Sequence, residues 1–194
     1  GESVVFVAAG AKHTVAVTTG GRLYTWGYGG HGRLGHGDTD RRLVPTLVGA
    51  PEGELVVMAA CGGEHTLVVT QDGALWACGD GESGQLGLDD EDDDYDSLNF
   101  DEAFDVNSLH SLFEQVGAGV FGGARVSAAA AGTNHSAAVT EDGALWTWGS
   151  GYFGQLGHGD EMVLFVPSVI SEEGLGGGRI GRCRGLPAEH AVAF

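Results

Sequence analysis

The residues Gly27-Tyr28-Gly29-Gly30-His31-Gly32 satisfy G-x-G-x-x-G, the spacing with which a strand-to-helix turn brings its backbone up to a dinucleotide pyrophosphate. Two further copies stand at Gly79-Asp80-Gly81-Glu82-Ser83-Gly84 and Gly149-Ser150-Gly151-Tyr152-Phe153-Gly154. A nucleotide site needs a helix after the turn and an acidic residue about 20 positions on. Here the copies continue as Arg33-Leu34-Gly35, Gln85-Leu86-Gly87 and Gln155-Leu156-Gly157, and glycine at that density breaks a helix. Nucleotide binding through these glycines is not expected. His13, His65 and His135 each precede the last glycine of their copy (Gly35, Gly87, Gly157) by 22 residues, and with His190 they resemble a set of four metal ligands. Ligands of one ion must converge on a point, whereas equivalent positions of successive units lie apart. The sequence therefore predicts structural imidazoles bonded to backbone at unit junctions, with the same role for His36 and His158. No Ser/His/Asp or Cys/His set recurs, so no catalytic residue, cofactor or metal is expected.

The feature that does not repeat lies between Gly87 and Gly132, an interval 18 residues longer than Gly35 to Gly62. Residues 89–105, DDEDDDYDSLNFDEAFD, hold ten acids and no base, more than half of a net charge of −18. Such charge density with few core-forming residues predicts a solvated loop. Two readings stay open: a spacer without a specific partner, or a contact for a basic partner. In the second, Asp92, Asp93, Asp94 and Asp96 supply charge, and Tyr95, Phe100 and Phe104 supply apolar anchors. A calcium loop of the EF-hand kind needs glycine at its sixth position and a terminal Glu, which this run lacks.

The elements that must position these residues follow from the rest of the composition. The chain has 194 residues, 42% hydrophobic and 19% charged, which fits one sizeable globular core. Thirty-six glycines beside four prolines, with no G-X-Y period, imply many tight turns rather than a collagen helix. The charge opposes nucleic acid, which is bound mainly through Lys and Arg. No apolar run approaches the roughly 18 residues of a spanning helix and no leader resembles a signal peptide, so an intracellular protein is expected, cytoplasmic or alternatively nuclear. Cys61, Cys78 and Cys183 have no C-x-x-C spacing and read as thiols packed like small hydrophobes.

Around each glycine pattern runs one frame: AGAKHTVAVTTGGRLYTWGYGGHGRLG from Ala9, CGGEHTLVVTQDGALWACGDGESGQLG from Cys61 and AGTNHSAAVTEDGALWTWGSGYFGQLG from Ala131. His65–Thr70 is apolar and β-branched, Asp72-Gly73 suits a type I′ turn, and Ala74–Cys78 returns as a second strand. Glu141-Asp142-Gly143 and Thr19-Gly20-Gly21 repeat the turn. The copies start 52 and then 70 residues apart (Ala9, Cys61, Ala131), which leaves room in each for four short strands, as a propeller blade requires. The tryptophans Trp26, Trp76, Trp146 and Trp148 are expected to pack between blades, with Trp26, Trp148 and Leu145 buried.

The frame G-x-x-H-T/S, then x-D-G-x-L-W-x-W-G, then G-Q-L-G-x-G-D resembles the regulator of chromosome condensation repeat. The resemblance covers residues 8–38, 60–88 and 130–160, with a fourth unit beginning in 180–194, and Pro45 and Pro167 fall where that repeat places a proline. It implies an all-β fold in which each blade has four antiparallel strands. Three to four blades form an incomplete arc of a seven-bladed propeller, a single partial domain over 1–194 with 89–105 as an insertion. Cys78 departs from the pattern where Trp26 and Trp148 follow it. The family includes an ultraviolet-B photoreceptor whose tryptophans lie in G-W-R-H-T. The corresponding segments here read GAKHT, GGEHT and GTNHS, so light sensing is not expected. The resemblance implies a non-catalytic protein-interaction scaffold. Alternatives are a guanine-nucleotide exchange factor for a Ran-like small GTPase and the substrate-recognition or regulatory propeller of a HECT-type ubiquitin ligase. The only insertion, 89–105, lacks the alternation and hairpin turn of the exchange factor's β-wedge.

Overall fold

The computed structural model describes residues 1–49, 51–88, 109–117 and 119–171. Among these residues twelve strands form three antiparallel sheets of four, each a sequential meander. The first blade contains β1 (Val4–Ala9), β2 (His13–Thr18), β3 (Leu23–Gly27) and β4 (Arg42–Leu47). The second contains β5 (Val56–Cys61), β6 (His65–Thr70), β7 (Leu75–Asp80) and β8 (Leu109–Gln115). The third contains β9 (Val126–Ala131), β10 (His135–Thr140), β11 (Leu145–Gly149) and β12 (Leu164–Val169).

The second blade lies between the other two, and its sequence shows it. Every residue of β6 and β7 is buried, so β6 reads as an unbroken Leu67-Val68-Val69 rather than a polar–apolar alternation. Val68 and Trp76 pack against Val15, Val17 and Leu23 of the first blade. On the opposite face Leu67, Val69, Leu75 and Ala77 meet Ala129, Ala138 and Trp148 of the third. Phe121 closes that junction with its ring edge-on to both Trp146 and Trp148.

Burial of the repeated residues follows from which face has a neighbour. Trp148, pressed on the second blade, is fully buried, and Pro167 beside it is buried too. Trp26 and Leu145, expected to be buried, are only half-buried. Trp26 lies on the face of the first blade turned away from the second, and Leu145 on the corresponding far face of the third. Among the described residues no sheet covers either face, which also leaves Pro45 exposed.

The hairpin tips correct the turn type. Thr70 N–H donates to Ala74 O at 3.0 Å and Gly73 N–H donates to Thr70 O at 2.9 Å, and only Gly73 has positive φ (+85°). This is a type I turn followed by a left-handed glycine, a three-residue loop, not a two-residue type I′ turn. Thr140–Ala144 and Thr18–Arg22 close in the same way.

Candidate functional site

The recurring histidines fasten blade to blade. His13 at the start of β2 places Nε2 2.8 Å from the hydroxyl of Thr66, at the start of β6, and that hydroxyl donates to the carbonyl of Arg33 at 2.7 Å. His65 repeats the arrangement with Ser136, whose hydroxyl donates to the Gln85 carbonyl at 2.7 Å. Because each hydroxyl's proton goes to a carbonyl, the imidazole Nε2 must carry hydrogen and donate. The bond expected to run to backbone runs instead to the side chain that follows the next blade's histidine. Trp148 Nε1 shares the Gln85 carbonyl at 3.0 Å, and Cys78 Sγ, in the equivalent place, lies 3.6 Å from Arg33 O. The glycine turn therefore supplies a carbonyl that the following blade binds.

These groups have no free chemistry. Burial pushes His13 down to about 4, helped by the Arg33 charge, and His65 down to about 3, with the neighbouring histidines and Arg33 adding to it. Both are neutral near pH 7, and with Nε2–H donating they offer no lone pair from that atom. His135 is lowered by burial alone. His36 and His158 are structural within one blade: each Nε2 lies 3.0 Å from a threonine hydroxyl, Thr25 or Thr147, which donates to Leu34 O or Leu156 O. Gly35, Gly87 and Gly157 all have positive φ, and a Cβ at Gly87 would come within 3.1 Å of the Pro167 ring. Burial raises Cys61 to about 12 and holds Cys78 well above the ordinary thiol value, so both are inert thiols.

Individual character sits on the rim formed by the glycine turns. Positions 28, 80 and 150 are Tyr, Asp and Ser; 31, 83 and 153 are His, Ser and Phe; 33, 85 and 155 are Arg, Gln and Gln. Arg33 is fully buried, donating from Nε to Gly30 O at 2.8 Å and from NH1 to Gly63 O at 2.6 Å, with NH2 3.1 Å from Glu64 Oε1. Tyr28 lies over this cation, its ring centre 5.1 Å from the guanidinium carbon and 5.4 Å from Lys12 Nζ. His31 Nε2 lies 3.5 Å from Glu64 Oε2, and Asp80 completes a group whose ligand atoms lie within 4.8 Å of one another. Nothing in the sequence marks His31, Glu64 and Asp80 as a group. Their only signal was that each breaks the repeat.

The candidate contact residues Asp92, Asp93, Asp94, Tyr95, Asp96, Phe100 and Phe104 lie outside the described residues, as do His190, Cys183 and the fourth unit. What can be located is the point of insertion. Gly35 is followed by Arg42 and Gly157 by Leu164 seven residues later, whereas Gly87 is followed by its counterpart His110 after 23. The extra chain enters between β7 and β8, and Leu109, at the head of β8, pairs with Asp80. No helix among the described residues is long and apolar enough to cross a membrane.

Two sequence profiles, both described as the regulator of chromosome condensation (RCC1) repeat, match residues 20–69 and 142–180, and residues 4–33, 57–85 and 126–155. Together they take in more than half of the chain. The chain is 39% identical over 175 residues to the ultraviolet-B receptor UVR8 of Arabidopsis thaliana, which covers 90% of this chain and 36% of the receptor. It is 38% identical over 182 residues to the E3 ubiquitin-protein ligase HERC2 of Homo sapiens, 93% of this chain and 3% of the ligase. The crystal structure of Prp20p from Saccharomyces cerevisiae, described with its binding properties to Gsp1p and histones, superimposes with a TM-score of 0.70 at 27% identity, over 86% of this chain and 38% of that one. The chain thus spans about a third of the receptor and of Prp20p, and a small part of the ligase.

Proposed function

The chain belongs to the regulator of chromosome condensation repeat family, and from that premise we propose that it is a non-catalytic scaffold for protein–protein contact. Residues 89–105 are the contact for a basic protein partner. The observation that carries this reading is the use of the repeated polar groups. His13, His65, Thr66 and Ser136 are consumed in holding blades together, so the repeat builds a rigid frame and leaves recognition to what is not repeated. The largest unrepeated feature is the acidic run, inserted between two strands of the central blade.

The relatives support a protein partner. Prp20p is described with Gsp1p and histones, the latter basic proteins, and Kap60 has been crystallised bound to the same protein. The test is a pull-down with the full chain and with a chain lacking residues 89–105, at low and moderate salt, followed by calorimetry on the partner that emerges. Loss of that partner on deletion supports the reading; equal recovery removes the acidic run as the contact. A second reading, guanine-nucleotide exchange on a Ran-like GTPase, is favoured by the likeness to Prp20p. Release of labelled nucleotide from such a GTPase distinguishes it, since a scaffold leaves the release rate unchanged. A third, a regulatory propeller within a HECT-type ligase, is favoured by the likeness to HERC2 and is tested by the full reading frame. The expected compartment, cytoplasm or nucleus, is read with a fluorescent fusion.

A further inference from the structure

At the junction of the first and second blades, His31, Glu64 and Asp80 come from three separate segments: the first glycine turn, the turn between β5 and β6, and the end of β7. Equivalent positions at the next junction hold Ser83, Asn134 and Ser150. The repeat architecture is therefore built without these side chains, and the frame does not account for them. Their donor atoms, one imidazole nitrogen and two carboxylate oxygens, lie within 4.8 Å of one another.

An independent observation points to a cation. Asp80 is only 8% exposed, yet among the described residues no Lys or Arg pairs with it. Its carboxylate accepts two hydrogen bonds from neutral donors, Glu82 N–H at 3.2 Å and Gln85 Nε2 at 2.9 Å. The following segment, residues 89–108, contains no base. A buried charge is normally paired or bound to a metal, and the Arg33 guanidinium at this junction is committed to Gly30 O, Gly63 O and Glu64 Oε1. An imidazole nitrogen of His31 and one carboxylate oxygen each of Glu64 and Asp80 therefore share one small volume, within 4.8 Å of one another.

We propose that His31, Glu64 and Asp80 form a binding site for a divalent transition-metal ion of the zinc type. One nitrogen and two oxygen donors suit zinc, with water completing a tetrahedron. The ion joins two blades and supplies the positive charge that Asp80 lacks. It takes Glu64 Oε2 and leaves the Arg33 bond on Oε1 intact, and His31 binds through an imidazole nitrogen.

The test is calorimetric titration of the 194-residue chain with zinc chloride in a non-chelating buffer at pH 7.5, paired with thermal melting. The site predicts one ion per chain and a higher melting temperature with zinc present. His31→Gly separates ligation from folding. His31 is the only non-glycine residue among those described with positive φ (61°), a conformation glycine adopts without strain. The metal-free His31→Gly chain should melt no lower than wild type while losing about tenfold or more in zinc affinity, and Asp80→Asn should lose a comparable factor. No saturable binding to the wild type overturns the proposal. So does unchanged binding in His31→Gly, which would place the ion on other groups such as His110 or the thiols.

Discussion

His13 Nε2 lies 2.8 Å from the hydroxyl of Thr66, a residue 53 positions away that itself follows the second blade's histidine. Each G-x-x-H-T/S copy thus holds both halves of a clasp: the histidine binds the blade ahead, and the hydroxyl receives the blade behind. Thr66→Val keeps the shape but strips His13 Nε2–H and the Arg33 carbonyl of their shared partner. Leaving buried polar groups unsatisfied costs about 1–3 kcal/mol, and urea unfolding should show that loss. Thr14, the same position in the first blade, has no clasp partner among the described residues, so Thr14→Val should change stability by less than about 0.5 kcal/mol.

Acid should loosen the same clasp. His13 and His65 are held neutral in the fold, with values near 4 and 3, while in the unfolded chain they titrate near 6.5. Below that pH the unfolded state binds more protons, so stability is complete above about pH 7 and falls as the pH drops through 6.5 toward the folded values. Between pH 7.5 and 5.5 the two together should remove about 2–3 kcal/mol of unfolding free energy. His65→Gln should roughly halve that slope in denaturant titrations across the range. A slope unchanged in the variant would mean the acid sensitivity arises elsewhere.

Gly143 holds φ of +88° at the third blade's hairpin tip and donates its N–H to Thr140 O at 2.9 Å. Valine at that angle is strained, and Gly143→Val should cost about 1–3 kcal/mol, visible as a lower melting temperature. Unchanged melting would show that the tip relaxes into another turn.

The blades were legible because strand, turn and strand lie within one frame: His65–Thr70, Asp72-Gly73 and Ala74–Cys78 carry their own β and turn signals. The turn type was not. Asp-Gly serves both a two-residue and a three-residue loop, and the choice here is set by bonds from Thr70 to Gly73 and Ala74. Strand β8 was hidden because Leu109–Gln115 follows the acidic run and has Phe113 where β4 and β12 have Pro45 and Pro167. The His13–Thr66 clasp had a signal, a hydroxyl after every histidine, but nothing local says that one copy's histidine reaches the next copy's hydroxyl. His31, Glu64 and Asp80 meet only through the packing of adjacent blades, and no spacing within one copy brings them together.

In the proposed function, residues 89–105 act as a contact on a frame that does not need them. The direct measurement is calorimetry of the partner recovered in pull-down against the full chain and the chain lacking 89–105, at about 50 and 200 mM salt, with melting temperatures of both proteins in parallel. The deletion should leave melting equal or slightly raised, since ten like charges repel. It should weaken binding about tenfold or more at low salt and flatten the salt dependence, because exposed charge pairs are screened over about 10 Å at 0.1 M salt. Equal affinity and equal salt dependence in the two proteins would contradict that role.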